Sequence, residues 1–390
     1  MNIYITGYGL ISSIGKNIDE SLSSLKNYSS GIEESNLKTT KGFKVGAIKA
    51  TNDELKKEFN IKTDCSRTAL LGIIASKQAF YGHNISKNIR TGLISGTSVG
   101  GMDTSEFEYK KYLESEKHDI NIYQQHSSGI SSEQIAFELG ISDFINTIST
   151  ACSSAANAII MGARMIENGF LDRVIVGGTD SLTKFTTSGF KSLMIFDEEF
   201  CKPFDKSRKG LNLGEGAGYI VLESEQSISS TKKEPLALLS GWSNASDSFH
   251  QTASSPEGFG AQLSMLEALN KAKLKPENID YINAHGTATP NNDLSESYAI
   301  KKIFKSTPPF SSTKSYTGHT LAASGGIEAV LSTLSIQHGY IYPNLNFKNP
   351  IEETELTPNL KFIKKNKINH VLSNSFGFGG NNSTLIISSI

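Results

Sequence analysis

Short apolar runs alternate with longer amphipathic ones along the chain. Ile3-Tyr4-Ile5, Thr91-Gly92-Leu93-Ile94-Ser95, Arg173-Val174-Ile175-Val176 and Tyr219-Ile220-Val221-Leu222 read as short buried strands. Apolar side chains at Leu70, Leu71, Ile73, Ile74 and Ala79 predict a helix over 69–80. A second helix is expected over 154–168, with Gly169 just past its end. This alternation predicts an α/β fold with layers of helix and sheet. The interval 224–236 is polar and lacks periodicity, so it reads as a surface connection. The chain beyond this interval echoes the chain before it. Ile5-Thr6-Gly7-Tyr8 is matched by Leu239-Ser240-Gly241-Trp242, Asp172 to Gly177 by Asn369 to Asn374, and Tyr219 to Glu223 by Thr384 to Ser388. Two similar halves, 1–225 and 226–390, would form one unit.

Composition narrows the class. A chain of 390 residues buries roughly 75% of its unfolded surface and needs no covalent staple. Lys+Arg number 38 against 39 Asp+Glu, a net charge of −1. That balance argues against a general nucleic-acid binder, which needs a basic excess to release counterions. The three cysteines, Cys65, Cys152 and Cys201, are widely spaced and odd in number, so neither a disulfide framework nor a zinc site is expected. Reduced thiols suggest a cytoplasmic protein. Met1 to Gly7 reads as a strand entering a turn and lacks the features of a signal peptide. No run of 18 apolar residues predicts a membrane span.

Four segments could carry chemistry. Cys152 sits in Ser149-Thr150-Ala151-Cys152-Ser153-Ser154, among small residues at the start of the second helix. A thiol there would feel the positive helix end, which lowers its pKa. Alone, it reads equally as a small buried hydrophobe, the reading given to Cys65 and Cys201. His285 follows a strand in Asn283-Ala284-His285-Gly286-Thr287-Ala288-Thr289, either as an acid/base or as part of a hydrogen-bonded turn. Ser311 to Ala329 reads as a small-residue helix interrupted by Lys314 and His319, with Glu328 a candidate partner for the lysine. Asn374-Ser375-Phe376-Gly377-Phe378-Gly379-Gly380 suggests a strand entering a backbone-exposed loop that could aim an N–H at an oxyanion.

Together these segments resemble the β-ketoacyl-acyl carrier protein synthases, elongating condensing enzymes of the thiolase fold. The nucleophile motif matches Thr150 to Ser154, the two histidine motifs match Ala284 to Thr289 and Lys314 to His319, and the glycine-rich end matches Asn374 to Gly380. Pro203-Phe204-Asp205 with Arg208 and Gly210, and Leu213 to Gly218, agree as well. The resemblance spans essentially the whole chain and implies a layered α-β-α-β-α unit of two pseudo-repeated halves.

It also implies roles. Cys152 would take an acyl group from a pantetheine thioester, with the N–H groups of Cys152 and Phe378 as oxyanion hole. His285 and His319 would hold the malonyl thioester through decarboxylation, and Lys314 and Glu328 would set their charge environment. Thr287 and Thr289 would bind the pantetheine arm, Phe378 would also gate, and Val99 and Phe190 would line the acyl pocket. The implied partner is an acidic acyl carrier protein, docking on local positive charge. Lys56, Lys57, Lys62 and Arg67 are the candidates. No cofactor or metal of the enzyme's own is implied, because the phosphopantetheine is carried by the partner. The assembly would be a homodimer or a heterodimer with a chain-length-factor-like subunit. Fatty-acid elongation is the expected role, with a specialised polyketide or aryl-polyene ketosynthase as the alternative. A non-catalytic chain-length-factor-type subunit is disfavoured, because all three reacting groups are present. Ala288, Tyr316 and Asn381 depart from the usual residues, and the stretch from Met194 to Lys202 is short. Tyr316 and that stretch are expected to reshape the site.

Overall fold

The computed structural model describes residues 2–35, 40–114, 117 and 120–390. In the first half, β1 (Ile3–Ser12) is followed by α1 (Arg67–Ala79), β2 (Thr91–Gly96), β3 (Phe144–Ile148), α2 (Ser154–Glu167), β4 (Arg173–Asp180) and β5 (Gly216–Ser224). In the second, β6 (Ala237–Ser246) is followed by α3 (Phe259–Ala272), β7 (Tyr281–Asn283), α4 (Pro290–Ile303) and β8 (Phe310–Ser311). Then come α5 (Lys314–Thr317), α6 (Ser324–His338), β9 (His370–Gly377) and β10 (Asn381–Ser388). The expected strands and both expected helices are present. Gly169, at φ +69°, follows α2 in the left-handed region that glycine adopts without steric cost.

The ten strands run β8-β7-β9-β10-β6-β1-β5-β4-β2-β3. Read outward from the centre, the first half runs β1-β5-β4-β2-β3 and the second β6-β10-β9-β7-β8. The pairing sense repeats too: two antiparallel neighbours and then two parallel ones in each half. The halves touch through a short antiparallel contact, Tyr4 opposite Leu238 and Ile5 opposite Ala237. The echoes in the sequence are therefore equivalent strands, and the two-half layered fold is borne out.

Helix α1 covers one face of β1 and β5, and α3 covers β6 and β10. Between the half-sheets lie α2 and α6, with α6 touching β4, β5 and β9. Strands covered on both faces read as continuous apolar runs, and β4 and β5 are buried throughout. Central burial also explains the small residues of α6, which is buried from Ser324 to Ile336. A Cβ on Gly326 would stand 2.3 Å from the Gly218 carbonyl oxygen, so this pair lets helix and strand backbones meet.

Two local expectations are corrected. Part of the polar interval 224–236 is a short helix, Glu225–Thr231, started by the Ser224 side chain accepting the Ser227 N–H. Two turns leave too little periodicity to read, whereas the cap was visible as a serine. Ser311 to Ala329 is not one helix either: it breaks at Gly318, φ +71°, and resumes at Ser324.

Candidate active site

The α2 N-terminus, the loop after β7, the break between α5 and α6 and the β9–β10 turn meet at one cavity of about 240 Å³. Cys152, His285, His319, Phe376 and Phe378 all line it. Cys152 lies just before α2 and is only 5% exposed. Its own N–H and that of Phe378 lie near enough to the sulfur to favour the thiolate. The residue before it, Ala151, has φ +52°, a conformation that costs a non-glycine residue energy. Burial pushes the thiol up to about 12, against the smaller opposing effects of Lys314 and the two N–H groups. The lowered pKa expected from the helix start is thus outweighed by desolvation.

His285 is held through its backbone. Glu296, on the second turn of α4, accepts the N–H groups of His285 at 2.9 Å and Gly286 at 2.8 Å, and the Asn374 side chain at 3.0 Å. Asp293, one turn earlier, accepts the N–H of Ala288 and, at 2.7 Å, that of Phe204. These contacts hold a tight turn in which Gly286 has φ +40° and Ala288 φ +66°. Glu296 is fully buried and its carboxyl is raised to about 7 by burial. Neither carboxylate was singled out from sequence. Their spacing of three residues on one face of α4 was the available signal.

The break at Gly318 turns His319 into the cavity. The Leu321 N–H donates to His319 Nδ1 at 3.2 Å. Nδ1 is therefore an acceptor, and a neutral ring carries its proton on Nε2. The rings of His285 and His319 are edge-on, with centroids 5.4 Å apart. Burial and then the Lys314 charge hold both imidazoles well below their usual range, so both are neutral at pH 7. Lys314 donates to the Glu328 carboxylate and, at 2.6 Å, to the His285 carbonyl oxygen. Burial raises Glu328 to about 7, with Lys314 opposing. The anticipated Lys314–Glu328 pair is therefore formed, beneath the histidine loop.

Phe378 stacks on Phe190, ring centroids 5.8 Å apart, across the cavity. Thr287 and Thr289 line the same cavity with hydroxyls 2.9 Å apart. Val99 does not line it. It is buried behind, in an apolar cluster with Val45, Leu182, Leu213 and Leu321, against which Phe190 packs. Tyr316, expected to reshape the site, is buried instead in the main core near Tyr281.

Of the four docking candidates, Arg67 alone is found committed to an internal partner. Arg67 makes a two-point ion pair with the buried Glu215, at 2.8 and 2.7 Å, and donates to Asn52 at 2.8 Å. Its charge is used internally. Lys56 is 3.5 Å from Asp64, while Lys57 and Lys62 are exposed, and none of the four lines the cavity. Lys209 does, as the one Lys or Arg in its lining among the described residues, beside Met194, which is 87% exposed. Lys209 carried no motif and was missed.

Chemically, the site offers a buried thiol, two converging N–H groups for one oxyanion, and two neutral imidazoles, one with its Nε2–H free for another. No helix among the described residues is long and apolar enough to cross a membrane.

Comparison with known proteins agrees over the full length. The beta-ketoacyl synthase N-terminal domain model matches residues 1–227, and the C-terminal domain model residues 236–348. A 3-oxoacyl-[acyl-carrier-protein] synthase 2 of Staphylococcus aureus (strain MRSA252) is 31% identical over 99% of this chain and 98% of its own. One from Synechocystis sp. is 32% identical over 98% and 97%. Among solved structures, the ishigamide ketosynthase/chain length factor superposes with a TM-score of 0.93 at 26% identity, covering 100% of this chain and 99% of that one. The ketosynthase ApeO in complex with its chain length factor ApeC, from Xenorhabdus doucetiae, superposes at 0.86 with 33% identity, covering 100% and 98%. The chain belongs to the beta-ketoacyl synthase family of the thiolase superfamily, and is a condensing acyltransferase that acts as a β-ketoacyl-acyl carrier protein synthase.

Proposed function

We propose that this enzyme elongates acyl chains in fatty-acid biosynthesis, using acyl and malonyl groups delivered as phosphopantetheine thioesters on an acyl carrier protein. The convergence of Cys152, His285 and His319 on one cavity carries this reading. Full-length relatives from two organisms are named 3-oxoacyl-[acyl-carrier-protein] synthase 2, which supports condensation on an acyl carrier protein.

The Cys152 sulfur attacks the acyl thioester carbonyl, whose oxygen takes the N–H groups of Cys152 and Phe378. Collapse expels the pantetheine thiol, which leaves with the proton from Cys152. The malonyl thioester then binds with its carbonyl toward His285 and His319. Loss of carbon dioxide leaves an enolate that these hydrogen bonds stabilise, and neutral rings serve as donors without being spent as acids. The enolate carbon attacks the acyl-Cys152 carbonyl. The Cys152 thiolate leaves and takes a proton from solvent, releasing a 3-oxoacyl product two carbons longer. Thr287 and Thr289 hold the pantetheine arm, and Phe378 separates the half-reactions by moving against Phe190. The prosthetic arm belongs to the carrier, so the enzyme supplies no cofactor. Lys209 is the cation placed to meet an acidic carrier at the cavity mouth.

A second reading, a specialised polyketide or aryl-polyene ketosynthase paired with a chain-length-factor-like subunit, is favoured by the ketosynthase/chain length factor structures that resemble this chain. A homodimer fits the first reading and a heterodimer the second. The test is intact-protein mass spectrometry with a panel of acyl-carrier thioesters. A covalent acyl adduct that disappears in Cys152→Ala is expected, and no adduct with any donor overturns the reading. Preference for saturated fatty acyl donors supports fatty-acid elongation, and preference for unsaturated or 3-oxo chains supports the specialised role.

A further inference from the structure

The two N–H groups of the oxyanion site come from opposite halves of the chain: Cys152 before α2, and Phe378 between β9 and β10. Their separation must be set by contacts between the halves. Asn381, at the base of the Phe378 turn and paired across it with Gly377, makes that contact. Its side-chain oxygen accepts from Ser153 Oγ at 2.7 Å, Asn157 Nδ2 at 2.8 Å and Asn244 Nδ2 at 2.8 Å. Ser153 is the residue after Cys152, Asn157 lies one turn further along α2, and Asn244 is on β6. An amide oxygen has two lone pairs, so one donor is shared. Each of the three donors has a second acceptor nearby: Ser153 Oγ is also 2.8 Å from the Thr150 carbonyl oxygen, and Asn244 Nδ2 is 3.0 Å from Asn157 Oδ1.

The donors are themselves anchored. Asn157 Nδ2 also reaches Thr150 Oγ1 at 2.8 Å, and Asn157 Oδ1 accepts from Ser383 Oγ at 2.8 Å. Asn244 Nδ2 lies 2.9 Å from Ser383 Oγ. The network therefore ties both flanks of Cys152 to the strand leaving the Phe378 turn. A mutually supporting network of this kind rigidifies what it connects.

We propose that Asn381 is a positioning residue that sets the spacing of the Cys152 and Phe378 N–H groups, clamping the base of the Phe378 turn to the first turn of α2. This rests on the acyl-transfer role proposed above. It predicts a split between half-reactions. Acylation of Cys152 passes through an oxyanion held by those N–H groups. Malonyl decarboxylation depends on His285 and His319, which the network does not touch.

The test measures both steps in the full-length enzyme, with Asn381→Ala, Ser153→Ala and the double variant. Acylation from an acyl-carrier thioester is followed by intact mass, and carbon dioxide release from malonyl-carrier is followed separately. Asn381→Ala is expected to slow acylation about 10- to 100-fold, with the KM for the acyl donor and the decarboxylation rate within about twofold of the parent. The double variant is expected to lose little more than Asn381→Ala alone, since contacting partners are non-additive. Should Asn381→Ala fold poorly, Ser153→Ala reads the same split from the other half. Equal slowing of both steps, unchanged acylation, or fully additive losses would each overturn the clamp. An unsubstituted enzyme that forms no adduct at all would instead overturn the acyl-transfer reading beneath it.

Discussion

The Lys314 ammonium donates to the backbone carbonyl of His285 at 2.6 Å, so the cation that depresses both histidines is bonded to the loop carrying one of them. Glu328 holds the same ammonium from α6. Lys314 is thus a strut and an electrostatic control at once.

Replacing Lys314 by Ala leaves Glu328 buried without its partner, a loss of roughly 3–5 kcal/mol by precedent for broken buried pairs. Glu328→Gln in the same chain should restore much of the melting temperature without restoring activity. The pH profile separates the two roles. Lys314 lowers the pKa of His285 and His319, so its removal raises both. The acid limb of decarboxylation, where the rings become charged, should move to higher pH in the double variant. An unmoved limb would remove the electrostatic role.

Burial holds the free Cys152 thiol near 12. Alkylation by iodoacetamide should therefore keep rising about tenfold per pH unit from 7 to 9, because the thiolate is the nucleophile. A plateau below pH 7 would show that the helix end outweighs burial after all.

Glu296 accepts two backbone N–H groups of the His285 turn and the Asn374 amide. Glu296→Ala orphans all three donors, at roughly 1–3 kcal/mol each where no water replaces the carboxylate. A lower melting temperature and a loss of decarboxylation at least as large as the loss of Cys152 acylation are expected. Glu296→Gln, which keeps one acceptor oxygen, should fall between parent and Ala in both measurements.

Lys209 lines the cavity mouth, while Arg67 is committed to Glu215. Lys209→Glu should raise the KM for carrier-borne donors several-fold at low salt with kcat little changed, and the effect should shrink as salt screens it. A short thioester lacking carrier and phosphate should be unaffected. If Lys57→Glu gives the larger effect, docking lies on the α1 side instead.

The buried strands β1, β2, β4 and β5, the helices around Leu70 and Ile159, and the segments bearing Cys152, His285 and His319 were legible in the chain, because burial periodicity and local turn chemistry are written in neighbouring residues. The repeat was legible as well, since equivalent strands keep similar apolar patterns. The state of the site was not. The helix start before Ser154 argued for an acidic thiol, yet enclosure by both halves raised it. Arg67 and Tyr316 looked available to a partner and to the substrate until packing assigned one to Glu215 and the other to the core. Glu296 and Lys209 sat in no recognised pattern, and Asn381 showed only as a departure from one, because what each of them faces is set by the fold rather than by its sequence neighbours. Burial, charge pairing and the meeting of two N–H groups from residues 152 and 378 depend on distances in space, and only the assembled halves bring those distances into being.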